Sequence, residues 1–302
     1  MLRQLNLLPL LVIPIATLVF MARQEIVHVS WLSPIEREIL PPIVEHLPMI
    51  FKQTGKAYDV YVQLPSDYAE SGVSYPVIYS VFEVPYLIGY KNIITPLLRR
   101  SKIPDVIAVS VSPAKWGAGG HAEGLLRLRG DPLHWADDMT RAQHTFRGAP
   151  PVGGMAEIFT AFVEQDLIPT IDAKYRTVKN DRCLAGFDVS ALFVMETALA
   201  RPELFQRYLA IAPVASWGDH ATIRFAREKV TADYDPPVRL YLGIGSLDYD
   251  SNLESCAQLV EVVASKHYGR MKFKSEVLPT YQHTGVVVPA AKTGLQFLYG
   301  DD

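Results

Sequence analysis

The residues best placed for chemistry lie in one stretch, DRCLAGFDVSALFVMETALARPELF, residues 181–205. Its apolar run Cys183–Ala185 reads as a strand, Gly186 to Ser190 as a tight turn, and the remainder as a helix. A strand, sharp turn and helix in that order hold the central residue exposed on a strained backbone, where a nucleophile is presented. The central residue here is Asp188. A carboxylate can displace at a saturated carbon and leave an ester for water to hydrolyse. Against an acyl substrate it would give an anhydride, an unpromising intermediate. Asp also suits the position structurally, because it tolerates unusual backbone conformations and its charge faces the positive end of the following helix. Ser190 and Ser246 are the nearby hydroxyls, but Ser190 should point away from the turn and Ser246 lacks such a turn altogether.

A metal centre is the other chemistry to weigh. His121, His134 and His144 share one long segment with Glu123, Asp137 and Asp138. None of these pairs has the tight spacing of a zinc site, so a solvated polar loop is expected, with no metal and no cofactor. Cys183 and Cys256 each fall in an apolar pattern and read as small buried hydrophobes.

The elements that must position Asp188 are those of an α/β protein. Strand-like runs appear at Tyr58–Leu64, Val77–Phe82, Val106–Val111, Cys183–Ala185, Tyr208–Ala212, Val238–Ile244 and Phe273–Leu278. Several are nearly continuous in apolar residues, as strands covered on both faces should be. Helical patterns lie between them, including Leu253 to Tyr268 with Gly269 as its expected cap. Such alternation implies a mostly parallel central sheet with helices on both faces and a site at the carboxyl ends of the strands. Residues 116–154, rich in Gly, Arg, Asp and His, read as a long loop, a lid or a docking surface.

Ahead of this domain, Leu5 to Ala22 is uncharged for about eighteen residues, roughly 27 Å of helix, near the thickness of a bilayer core. No small-residue cleavage site follows it, so an uncleaved single-pass anchor is expected. The expected organisation is residues 1–24 anchor, 25–55 linker with a short helix capped by Ser33, and 56–302 globular domain. A net charge of −3 gives no basic footprint for nucleic acid.

The elbow resembles the A-G-x-S-x-G-G motif of the esterase D and enterochelin-esterase-like group of α/β hydrolases. Other pieces agree in order and spacing: Asp59 to Pro65 with Tyr68, Tyr75 to Tyr79, Ile168-Pro169 through Tyr175-Arg176-Thr177, Tyr281 to His283, and Gly294 to Tyr299. The likeness runs from Tyr58 to the C-terminus. It implies an α/β-hydrolase fold, with His283 in the position of the catalytic histidine and Asp248 in that of the triad acid, Asp250 being the alternative. It also implies that Asp188 replaces the nucleophilic serine, that Ser190 replaces the second glycine, and that Phe82-Glu83 replaces the Asp-Gly beside the oxyanion hole. The remaining oxyanion donor would be the amide of Val189. A glutamate beside a developing oxyanion would oppose it.

The functional expectation is therefore an inactive, membrane-anchored esterase-like domain in which Asp188, His283 and Asp248 are remnants and Asp188 pairs with His283. Its partners would be other membrane-complex subunits, with the lipid bilayer held through residues 5–22, in a mitochondrial inner membrane or a bacterial inner or periplasmic membrane. The alternatives are an active hydrolase using Asp188 as nucleophile, as haloalkane dehalogenases and epoxide hydrolases do, or a module keeping the old pocket for a small ligand. The dehalogenase-type elbow usually reads G-x-D-W-G, and Val189-Ser190 departs from it.

Overall fold

A computed structural model describes residues 44–81, 103–113, 134–145 and 151–300. Among the described residues there are ten strands: β1 Val44–Ile50, β2 Ala57–Gln63, β3 Tyr75–Ser80, β4 Ile107–Pro113, β5 Gln143–His144, β6 Val152–Gly153, β7 Thr177–Phe187, β8 Arg207–Ile211, β9 Arg239–Gly245 and β10 Lys272–Leu278. The helices are α1 Tyr68–Ser71, α2 His134–Met139, α3 Ala156–Phe162, α4 Ile168–Lys174, α5 Val189–Ala200, α6 Trp217–Lys229, α7 Asp250–Val263 and α8 Val287–Tyr299. A π-helical turn, Val163–Leu167, joins α3 to α4.

Eight strands form one sheet in the order β1-β2-β4-β3-β7-β8-β9-β10. β1–β2 and β2–β4 are antiparallel, and every pair from β4 to β10 is parallel. Every residue of β3 is buried, as the apolar run YPVIYS requires of a strand covered on both faces. β7 starts exposed and ends with five buried residues, Cys183 to Phe187, delivering the chain to the elbow from the middle of the sheet. Helix α5 is buried along its length from Val189 to Leu199. A helix buried on all sides has no solvent face and must lie inside a layer, here against β7 and β8.

Three expectations need correcting. The sheet begins at Val44, inside the stretch expected as linker, because β1 pairs along its whole length with β2, from Val44↔Gln63 to Ile50↔Ala57. The short helix around Ser33 and the apolar run Leu5–Ala22 lie outside the described residues. Among the described residues no helix is long and apolar enough to cross a membrane.

The expected loop 116–154 is partly regular. Its described parts form α2 and a small two-stranded sheet, β5–β6, and bury Ala136, Asp138, Met139 and Thr140. These residues belong to the core, so removing the whole segment would cost the domain its packing. The helix expected to reach Tyr268 ends at Val263, where the Tyr268 hydroxyl donates to the Val263 carbonyl at 2.5 Å. Gly269 instead donates its amide to Asp235.

Candidate active site

The site sits at the carboxyl ends of β7, β9 and β10, where a parallel sheet exposes its loops. Asp188 follows β7 with φ 61° and ψ −125° and caps the start of α5. That is a sparsely populated conformation for a residue with a side chain, stored at about 1–3 kcal/mol. Two features hold it. The Asp188 amide donates to Ile211 of β8 at 3.0 Å, and its carbonyl accepts from Ala191 at 3.1 Å. Gly186 lets the turn close: a Cβ there would lie 2.4 Å from the Ser190 carbonyl oxygen. The Asp188 side chain keeps 30% of its surface exposed.

His283 comes from the loop after β10, and Asp248 from the turn after β9. The His283 Nδ1 lies 2.8 Å from Asp248 Oδ2 and 3.0 Å from Oδ1. On its other side, His283 Nε2 lies 3.8 Å from Asp188 Oδ2. Phe187 and Tyr249 flank the imidazole, with ring centroids at 4.9 and 5.8 Å. Asp188, His283 and Asp248 are thus brought together, and Asp248, not the exposed Asp250, meets the histidine.

Burial alone would push the His283 imidazole below its usual range. The carboxylates of Asp188 and Asp248 outweigh that and raise its pKa to about 9. Asp248 is likewise pushed up by burial, but His283, Asn252 and the Tyr249 amide hold it below the usual carboxylate range. At pH 7 the arrangement is a carboxylate–imidazolium–carboxylate sandwich. An imidazolium has no lone pair with which to take a proton from a hydroxyl or a water.

Asn252 was not legible as a site residue. Its Nδ2 donates to Asp248 Oδ1 at 3.0 Å, beside the Tyr249 amide at 2.7 Å. The only signal was its place four residues after Asp248, in the first turn of α7. Val189 heads α5, where an amide has no acceptor within the helix. Phe82 and Glu83 lie outside the described residues.

Ser190 is buried in the first turn of α5, and the Ser246 hydroxyl accepts the Thr280 amide at 2.9 Å. Both cysteines are free and buried, and burial pushes each thiol up to about 12. Of the candidate metal ligands, His121 and Glu123 lie outside the described residues. Asp138 pairs with Lys56 at 2.5 Å, Asp137 accepts the Gly153 amide, and the His144 ring lies 4.8 Å from that of Trp217.

Known proteins share this architecture. The crystal structure of the BES protein from Bacillus cereus superposes with a TM-score of 0.68 at 20% identity, covering 87% of this chain and 98% of that one. The siderophore hydrolase EstA from Aspergillus nidulans gives 0.65 at 19% identity, covering 86% and 97%. An IroE-like serine hydrolase from Shewanella oneidensis gives 0.65 at 20% identity, covering 85% and 80%. These likenesses show the esterase, α/β-hydrolase-like fold. In sequence, the chain is 31% identical over 100 residues to the ferri-bacillibactin esterase BesA of Bacillus subtilis (strain 168). That match spans 32% of this chain and about a third, 35%, of the relative's length. The family described as "Putative esterase" matches residues 128–285, just over half of the chain, and takes in Asp188, Asp248 and His283. The chain belongs to that esterase family.

Proposed function

We propose that this chain is an esterase-family domain that does not carry out acyl transfer and acts through its surface, as an accessory subunit of a membrane complex anchored by residues 5–22. In this reading Asp188 stands where a serine hydrolase carries its nucleophile. The single observation that carries it is the position of His283 between two carboxylates. A triad needs a hydroxyl on the elbow and a neutral imidazole beside it, and this site offers a carboxylate and an imidazolium. Replacing Asp188 by serine would supply the hydroxyl, but the sequence carries Phe82-Glu83 where the family resemblance implies Asp-Gly, so that variant should stay inactive. The anchor rests on the uncharged run Leu5–Ala22, and the accessory role on a folded core kept without its chemistry. The test is extraction of native membranes with alkaline carbonate, then sizing in mild detergent. The full-length chain should resist extraction and migrate within a larger hetero-complex. A chain released by carbonate that runs as a monomer contradicts this reading.

The strain at Asp188 favours a second reading. A backbone held at φ 61° and ψ −125° with a half-exposed carboxylate suits displacement at a saturated carbon. The Asp188 oxygen would bond to carbon as the carbon–halogen or epoxide carbon–oxygen bond breaks, and esterification would remove one of the two charges that raise His283. The imidazolium proton would pass to the epoxide's alkoxide, or to solvent where halide leaves, and the neutral imidazole would then deprotonate water for attack on the ester. Mass spectrometry of a His283→Gln variant incubated with alkyl halides and epoxides tests it: an ester trapped on Asp188 supports this reading, and an unmodified chain removes it.

A further inference from the structure

Helix α5, which carries Asp188 at its head, also carries Glu196 about two turns further on. Glu196 is 3% exposed, an unusual place for a carboxylate. Its Oε1 accepts the hydroxyl of Thr222 on α6 at 2.6 Å. Its Oε2 has no hydrogen-bond partner, and neither has the Nε of Arg141, 3.6 Å away. The Arg141 guanidinium lies over the Phe225 ring at 3.8 Å and donates to Glu157 at 2.8 Å.

Arg141 opens a segment pressed tightly onto α6. The Trp217 indole donates to the Ala142 carbonyl at 2.9 Å, and the His144 ring lies against the same indole. A Cβ on Gly218 would come within 2.7 Å of the Ala142 Cβ. Gly218, Asp219 and His220 all hold positive φ, at 57°, 54° and 61°, one left-handed turn beside that contact.

We propose that Glu196 and Arg141 form a proton-operated latch between the elbow helix and the segment 141–145, closed when Glu196 is a carboxylate and open when it is a carboxylic acid. With Oε2 ionised, the Arg141 Nε–H has an anionic acceptor. With Oε2 protonated, the Arg141 Nε–H faces a neutral hydroxyl 3.6 Å away in place of an anion, the charge attraction is lost, and Arg141 is left to Glu157. Burial raises Glu196 to about 7, with Thr222 and Arg141 opposing and Glu157 assisting, so the change falls in the neutral range.

The other charged groups around α5 are engaged. On α2, Asp137 accepts the Gly153 amide and Asp138 pairs with Lys56. On β7 and β8, Arg182 and Arg207 pair with Asp172 and Asp181. On α6, Lys229 lies over the Phe225 ring, 5.4 Å from its centroid, and Arg224 pairs with Asp219. His144 lies against Trp217 and His220 belongs to the left-handed turn beside it, so the test must separate both histidines.

The test is fluorine NMR of the full-length protein carrying 5-fluorotryptophan, with the Trp217 resonance assigned through Trp217→Phe. In the wild type that resonance should titrate with a midpoint of about 7. In Glu196→Gln it should lie flat at the acid limit. In Arg141→Met, loss of the cation should move the midpoint upward by one unit or more, and in His144→Gln and His220→Gln the titration should remain. A titration that persists in Glu196→Gln, stays in place in Arg141→Met, or disappears in His144→Gln or His220→Gln overturns the latch. Should Glu196→Gln fail to fold, the other three variants decide.

Discussion

The two sides of His283 differ in kind. Toward Asp248 the contact is 2.8 Å, the carboxylate has no exposed surface, and two further donors, Asn252 and the Tyr249 amide, fix its orientation. Toward Asp188 the contact is 3.8 Å, the carboxylate is 30% exposed, and the backbone beneath it is strained. The acid side is a hydrogen-bonded structure, whereas the elbow side is a charge neighbour. A completed triad would need both sides tight, the elbow side through a hydroxyl. Here the elbow side contributes charge without a hydrogen bond, and together with Asp248 it keeps the imidazole protonated.

Breaking the tight side should have the largest effect. Asp248→Ala removes a buried charge from its partner and leaves two interior donors without an acceptor, a loss of about 3 kcal/mol. Thermal unfolding should show a fall of roughly 6–12 °C. A shift near zero would mean that the pair contributes nothing to stability.

The charge on His283 predicts a pH dependence of similar size. Its pKa is raised from an ordinary 6.5 to about 9 in the folded chain. Its contribution is therefore fully present below about pH 6.5 and is lost as pH rises through 9, about 3 kcal/mol in total. Denaturant unfolding between pH 7 and 9 reads it. Glu196 falls in the same direction but over a lower window, from an ordinary 4.5 to about 7. Asp248, held low, loses its contribution only as pH falls below the usual carboxylate range. Asp188→Asn should bring the fall to lower pH, because one of the two charges that raise His283 is gone.

The loose side should show the smallest effect. Asp188→Ala should change stability by less than about 1 kcal/mol, since a partly exposed pair at 3.8 Å is well solvated. In a double-mutant cycle with His283→Ala, the coupling should stay below that of Asp248 with His283. An equal or larger coupling would reverse the comparison.

The parallel half of the sheet was legible because β3, β8 and β9 are apolar almost without interruption. The elbow was legible because strand, turn and helix follow one another within twenty-five residues. β1 was not. Its VEHLPMI lacks the alternation of polarity that marks a half-buried strand and contains Pro48, as an edge strand can, and so reads as linker. The first half of β7, Thr177 to Asp181, is too polar to separate from a loop. In α2, apolar Ala136 and Met139 lie among acids and histidine, and only burial of Asp138 against Lys56 explains the pattern. Asp188 and His283 were placed together in advance, but the charge on the imidazole was not. It depends on two carboxylates from separate strand ends, sixty residues apart in sequence, acting on one ring.

The most direct measurement is hydrolysis of p-nitrophenyl esters by the full-length protein from pH 6 to 8, beside the His283→Ala variant. With His283 held as an imidazolium and no hydroxyl on the elbow, the two should be indistinguishable from each other and from buffer. Turnover by the wild type that is lost in His283→Ala would contradict the account, because it would require a neutral histidine working with a nucleophile.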